Sequence, residues 1–65
     1  DYDGATCLAF ISNDINHDLE IAREHGGQFF TPVFTLNVNK RDLKIGMFRS
    51  PGGMIIELIQ IQKGT

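Results

Sequence analysis

At 65 residues the chain is one small domain at most, and its single cysteine, Cys7, excludes an internal disulfide. A domain of this size buries only about 60% of the surface its unfolded chain exposes, so a partner subunit, with a metal ion second, is the expected source of added stability. Six basic against eight acidic side chains leave a net charge of −2, which argues against charge-driven binding to nucleic acid. No apolar run approaches the roughly 18 residues of a membrane span. The opening DYDGATCLAF lacks the basic start of a signal peptide and an initiator Met. A fragment or processed product in a reducing cytoplasm is the expected setting.

Residues 6–12, TCLAFIS, form a short apolar run with β-branched and aromatic members, which predicts a strand. Alternation places Cys7, Ala9 and Ile11 on one face and Leu8, Phe10 and Ser12 on the other. SNDINHDLEIAREHGG then predicts a helix of about 11 residues. Asn13 and Asp14 carry side-chain oxygens able to accept the orphan amide protons of a first turn. Ile15, Leu19 and Ala22 draw one apolar stripe, and Gly26 and Gly27 supply a left-handed stop.

QFFTPVFTL reads as a second strand. Pro32 has no amide proton to give a ladder, so this strand belongs at an edge or carries a bulge. NVNKRD is polar and turn-like, and LKIGMFR is the third strand, with Leu43, Ile45, Met47 and Arg49 on one face. SPGG is a turn, because Pro51 sets one backbone angle and the glycines permit positive φ. MIIELIQIQ is the last strand and the most β-prone, with Met54, Ile56, Leu58 and Gln60 on one face and Ile55, Glu57, Ile59 and Ile61 on the other.

The order strand, helix, strand, strand, strand predicts an α+β fold, one βαβββ module over residues 1–65. The helix covers one sheet face, with Leu8, Phe10, Ile56 and Leu58 as expected partners of Ile15, Leu19 and Ala22. The opposite face, bearing Cys7, Ala9, Ile11, Ile55, Glu57, Ile59 and Ile61, is too apolar to remain in water. A ferredoxin-like domain is a weaker match, since it needs a second helix and NVNKRD is too short for one.

Glu57 is the residue whose type and place point most directly to chemistry. A carboxylate between Ile55 and Ile59 is costly to bury unpaired, which suits a metal ligand or a general base on a carbon acid. Solvent exposure or a pair with Arg49 is the plainer expectation. Cys7 is by type a small buried apolar side chain or a thiolate ligand for a soft metal. His17 and His25 lie about 12 Å apart along the helix and cannot share a metal. Lys40, Arg41 and Lys44, interrupted by Asp42, form a solvated turn or an anchor for a phosphate or carboxylate at the mouth of a site.

Several strings resemble the glyoxalase/bleomycin-resistance/extradiol dioxygenase (vicinal oxygen chelate) superfamily. Cys7-Leu8-Ala9-Phe10 followed by Asn13-Asp14-Ile15 is similar to its opening "HIAF" strand and Asp-rich helix start. Phe48-Arg49-Ser50-Pro51-Gly52-Gly53-Met54-Ile55-Ile56-Glu57-Leu58 is similar to its closing "FxDPDGNxIEL". The resemblance spans residues 6–61. It implies a curved mixed sheet with the helix on its convex face, paired with a second module around a cavity, as a homodimer or within a longer two-module chain. It implies a small-molecule ligand lined by Ala9, Ile11, Phe34, Met47, Ile55 and Ile59. Lyase, isomerase or dioxygenase-type chemistry would then run through Glu57, with a divalent metal held by Glu57 and Cys7. Cys7 stands where the family has His, a departure that favours binding or a metal-free site. A non-catalytic binding or structural module that acts only by dimerising is the competing expectation.

Overall fold

The computed structural model describes residues 7–62. In chain order the elements are β1 (Cys7–Ile11), α1 (Ile15–Glu24), β2 (Gln28–Phe29), β3 (Phe34–Val38), β4 (Arg41–Arg49) and β5 (Ile55–Ile61). They form an α+β domain with one helix and one five-stranded mixed sheet among the described residues. Thr6, expected at the start of the first strand, lies outside them.

The helix begins and ends where local chemistry dictates. Asp14 is extended (φ −151°) and its side chain accepts from the His17 amide at 3.2 Å. Ser12, only 4% exposed, accepts from the Asp14 amide and donates to the Asp18 carboxylate. The Ile15 amide, which has no partner within the helix, donates to Gln60 Oε1 on β5 at 2.8 Å. At the other end the Gly27 amide reaches the Ala22 carbonyl and the Gly26 amide that of Arg23, with Gly26 at φ 93°. That is a Schellman closure, and the left-handed residue in it is the glycine.

β5 lies at the centre, parallel to β1 and antiparallel to β4. The outer flank of β4 is shared by β2, paired at Gln28 and Phe29, and by β3, paired from Phe34 to Val38. The expected single second strand is therefore two strands. Residues 30–33 make no ladder, and Pro32 among them has no amide proton to give one. The edge position expected from Pro32 holds. The polar stretch NVNKRD is mostly strand: only Asn39 and Lys40 turn, at φ 52° and 65°, between the Val38–Arg41 pair. These are the positive φ values a two-residue hairpin of type I′ needs. The SPGG turn closes as expected, with Gly53 at φ 96° and Ser50 Oγ accepting from the Met54 amide.

The core is Ile15, Leu19 and Leu58, with Phe29, Phe48 and Ile56 packed against it. Leu8 and Phe10, expected in this core, are 45% and 49% exposed. The reason is that α1 packs on β4 and β5, drawn there by buried Gly46: a Cβ at that position would stand 2.8 Å from Leu19 Cδ1. The glycine is the seat into which the helix settles, and β1 is left at the sheet edge beyond its cover.

Candidate functional site

The register sorts the sheet face away from α1 into cross-strand rows, because side chains on one face recur every second residue. One row runs Ala9, Glu57, Met47. Beside it runs Ile11, Ile59, Ile45, Phe34, and on its other side Cys7, Ile55, Arg49, Gln28. Farther along come Ile61, Leu43 and Leu36. Ala9, Ile11, Phe34, Met47, Ile55 and Ile59, singled out from the sequence, thus surround Glu57 on one surface. The middle of this surface is tight, with Ile45 buried by its neighbours, while Ile11, Phe34, Leu36, Val38 and Ile61 at its margins are exposed. No described helix or strand lies across it.

Glu57 is half-buried. Its expected pairing with Arg49 is absent. Arg49 lies in the next row, donates to the Gly53 carbonyl at 3.2 Å and sits 5.9 Å from the Phe30 ring centre. The ion pair between described residues is Arg23–Glu20, on the helix. The row bearing Glu57 ends outward at Met47, where β2 has stopped and β3 has not begun. The Pro32 break therefore opens that end of the row.

Cys7 is exposed, so the small buried side chain expected from its type is not what this chain presents. It lies on the same face as Glu57, one strand over and one pleat away. Among the described residues no three His, Cys, Asp or Glu side chains gather as a metal-binding group. A thiol and a carboxylate are two donors of unlike softness, short of the four that zinc takes. These residues alone do not fit a metal centre. His17 lies on α1, His25 caps its C-terminal end, and both are exposed; His25 Nδ1 is 2.9 Å from the Ile21 carbonyl.

The basic cluster expected near the turn divides. Lys44 sits on the helix side of the sheet, across from Thr35 and Gln60. Lys40 and Arg41 instead line a hollow at the end of the sheet, together with Ile11, Asn13, Gln60 and Ile61. A further hollow, which sequence reasoning missed, lies between α1 and the 30–33 break. It is lined by Leu19, Glu20, Arg23, Phe29 and Pro32. Its charged groups are already engaged: Arg23 sits 4.9 Å from the Phe29 ring centre and 3.9 Å from Glu20. Only the proline in the sequence hinted at it.

No helix among the described residues is long and apolar enough to cross a membrane. No protein-family model matches the chain, and comparison with curated proteins and with solved structures returns no match.

Proposed function

We propose that this chain is half of a small-molecule-binding assembly, in which a second module of the same kind, in the simplest case a second copy, closes over the face that carries Glu57. The observation that carries the reading is β1. It is an edge strand whose five residues are all exposed, Leu8 and Phe10 on one side of the sheet and Cys7, Ala9 and Ile11 on the other. On the opposite flank Pro32 interrupts the edge between β2 and β3, and β3, FTLNV, is likewise exposed along its length. β1, CLAFI, has no charge, no proline and no bulge, the usual defences of an edge. A partner lying only on the Glu57 face would leave Leu8 and Phe10 in water. A partner docked along the β1 edge reaches both sides.

In the cavity so formed, the aliphatic rows hold the apolar part of a ligand. Glu57 accepts a hydrogen bond from it or, in an enzyme, takes a proton from a carbon beside a carbonyl. The metal-assisted version requires donors from the second module in addition to Cys7 and Glu57. The missing first-strand His favours binding without a metal. The resemblance of the opening and closing strings to the vicinal oxygen chelate superfamily supports the same reading.

The test is sedimentation velocity at micromolar concentration, combined with titration of the neutral fluorescent probe N-phenyl-1-naphthylamine. The expected result is a dimer that takes up the probe. A cooperatively folded monomer that leaves the probe in water would overturn the proposal. Chelator treatment separates the chemistries: a fall in melting temperature that is absent in Glu57→Ala assigns a metal to Glu57, and an unchanged melting curve assigns a metal-free site.

A further inference from the structure

The hollow at the hairpin end of the sheet has a donor-rich lining that nothing in the fold requires. Lys40 and Arg41 line it, and neither forms an ion pair with another described residue. Three acceptors in the lining, on Asp42, Gln60 and Ser12, are engaged within the fold, and Asn13 and Gln62 line the hollow beside them. The Asp42 carboxylate, also in the lining, accepts from Asn37 Nδ2 at 2.8 Å and keeps its negative charge, so with Lys40 and Arg41 the lining carries one net positive charge. Gln60 Oε1 accepts from the Ile15 amide at 2.8 Å, which fixes the orientation of that side-chain amide and leaves its NH2 group without a partner among the described residues. Ser12 Oγ is occupied on both counts, toward Asp18 and from the Asp14 amide.

Lys40 is also held in a conformation that suits glycine. At φ 65° it occupies the second position of a two-residue hairpin, where a side chain costs about 1 kcal/mol relative to Gly. Strain kept at a pocket mouth is a pointer to use. The apolar members of the lining, Ile11 and Ile61, belong to the same sheet face as Glu57, so the hollow is continuous in chemistry with the aliphatic rows.

We propose that this hollow receives the oxyanion head, a carboxylate or a phosphate, of a ligand whose apolar part lies along the Glu57 face. The substrate class of the assembly is then an anionic amphiphile. Lys40 and Arg41 supply charge-assisted hydrogen bonds, and the Gln60 amide supplies a neutral donor. The inference rests on the proposed function for the apolar part of the ligand and stands independently for the head.

The experiment compares two probes of similar shape on the full chain: 8-anilinonaphthalene-1-sulfonate, which carries an anion, and neutral N-phenyl-1-naphthylamine. Lys40→Gly and Arg41→Gln are each expected to weaken the sulfonate about fivefold and to leave the neutral probe within twofold. Lys40→Gly relieves backbone strain, so loss of fold does not account for its loss of affinity. Equal effects on both probes, or none on either, would overturn the inference. Inorganic phosphate, followed by amide chemical shifts, separates the two proposals. Shifts at residues 38–42 and 60–62 with neither dye bound support the anion pocket and remove the apolar cavity. Dye binding without phosphate shifts or variant effects removes the pocket alone. Competition by alkyl phosphates against fatty carboxylates of equal chain length then identifies the head.

Discussion

Gly46 and Leu19 meet so closely that a single added carbon at Gly46 would stand 2.8 Å from Leu19 Cδ1. Leu19 cannot turn away freely, because it is buried and Ile15 Cδ1 lies within 3.4 Å of the same point. Gly46→Ala is expected to cost about 1 kcal/mol and Gly46→Val about 3 kcal/mol, the range for overpacking a filled site. Urea unfolding followed by circular dichroism measures both. Equal stability of Gly46→Val and the parent would refute a helix seated on this glycine.

Ser12 is the polar hinge between β1 and α1. Its hydroxyl joins the Asp18 carboxylate to the Asp14 amide while almost wholly buried. Ser12→Ala removes both bonds and leaves the Asp14 amide without its partner, an expected loss of about 1–3 kcal/mol. Amide exchange should rise first over residues 14–18, since the damage is local to the helix start.

Lys40→Gly should raise stability by about 0.5–1 kcal/mol, because the relief of left-handed strain exceeds the extra freedom glycine brings to the unfolded chain. Thermal unfolding reads the shift. A lower melting temperature would mean that the Lys40 side chain makes a stabilising contact outweighing its backbone strain.

Phe10→Glu places a charge on the uncovered edge strand. In a lone subunit the change is nearly neutral, within about 0.5 kcal/mol, because Phe10 is half exposed there. In a dimer joined along β1 it is disruptive. The expected outcome is a folded monomer by sedimentation, and an unchanged oligomeric state would move the interface away from β1.

Replacing Glu57 tests whether the carboxylate is kept for function. Glu57→Ile should stabilise the assembled protein by about 1 kcal/mol or more, since a carboxylate with no ion pair among the described residues gives way to apolar packing between Ile55 and Ile59. Any exchange of a carbon-bound proton on a carbonyl ligand, followed by NMR in heavy water, should be lost in the same variant. A destabilised Glu57→Ile would indicate a partner for the carboxylate across the interface.

The helix limits were legible in the sequence because caps are local: Asp14 and the Gly26–Gly27 pair act on amides and carbonyls within a few residues of themselves. So were the two faces of each long strand, since alternation depends only on the pleat, and the gathering of Glu57 with its aliphatic neighbours followed from it. Pro32 announced an edge, although the chain stops pairing altogether around it. What the tertiary structure alone decided was how elements distant in sequence come to lie together. The seating of α1 over Gly46, the exclusion of Leu8 and Phe10 from the core, and the separation of Lys44 from Lys40 and Arg41 all depend on cross-strand register and on steric fit between partners far apart in the chain. Such quantities have no local signal, because each is set by which side chain must make room for another.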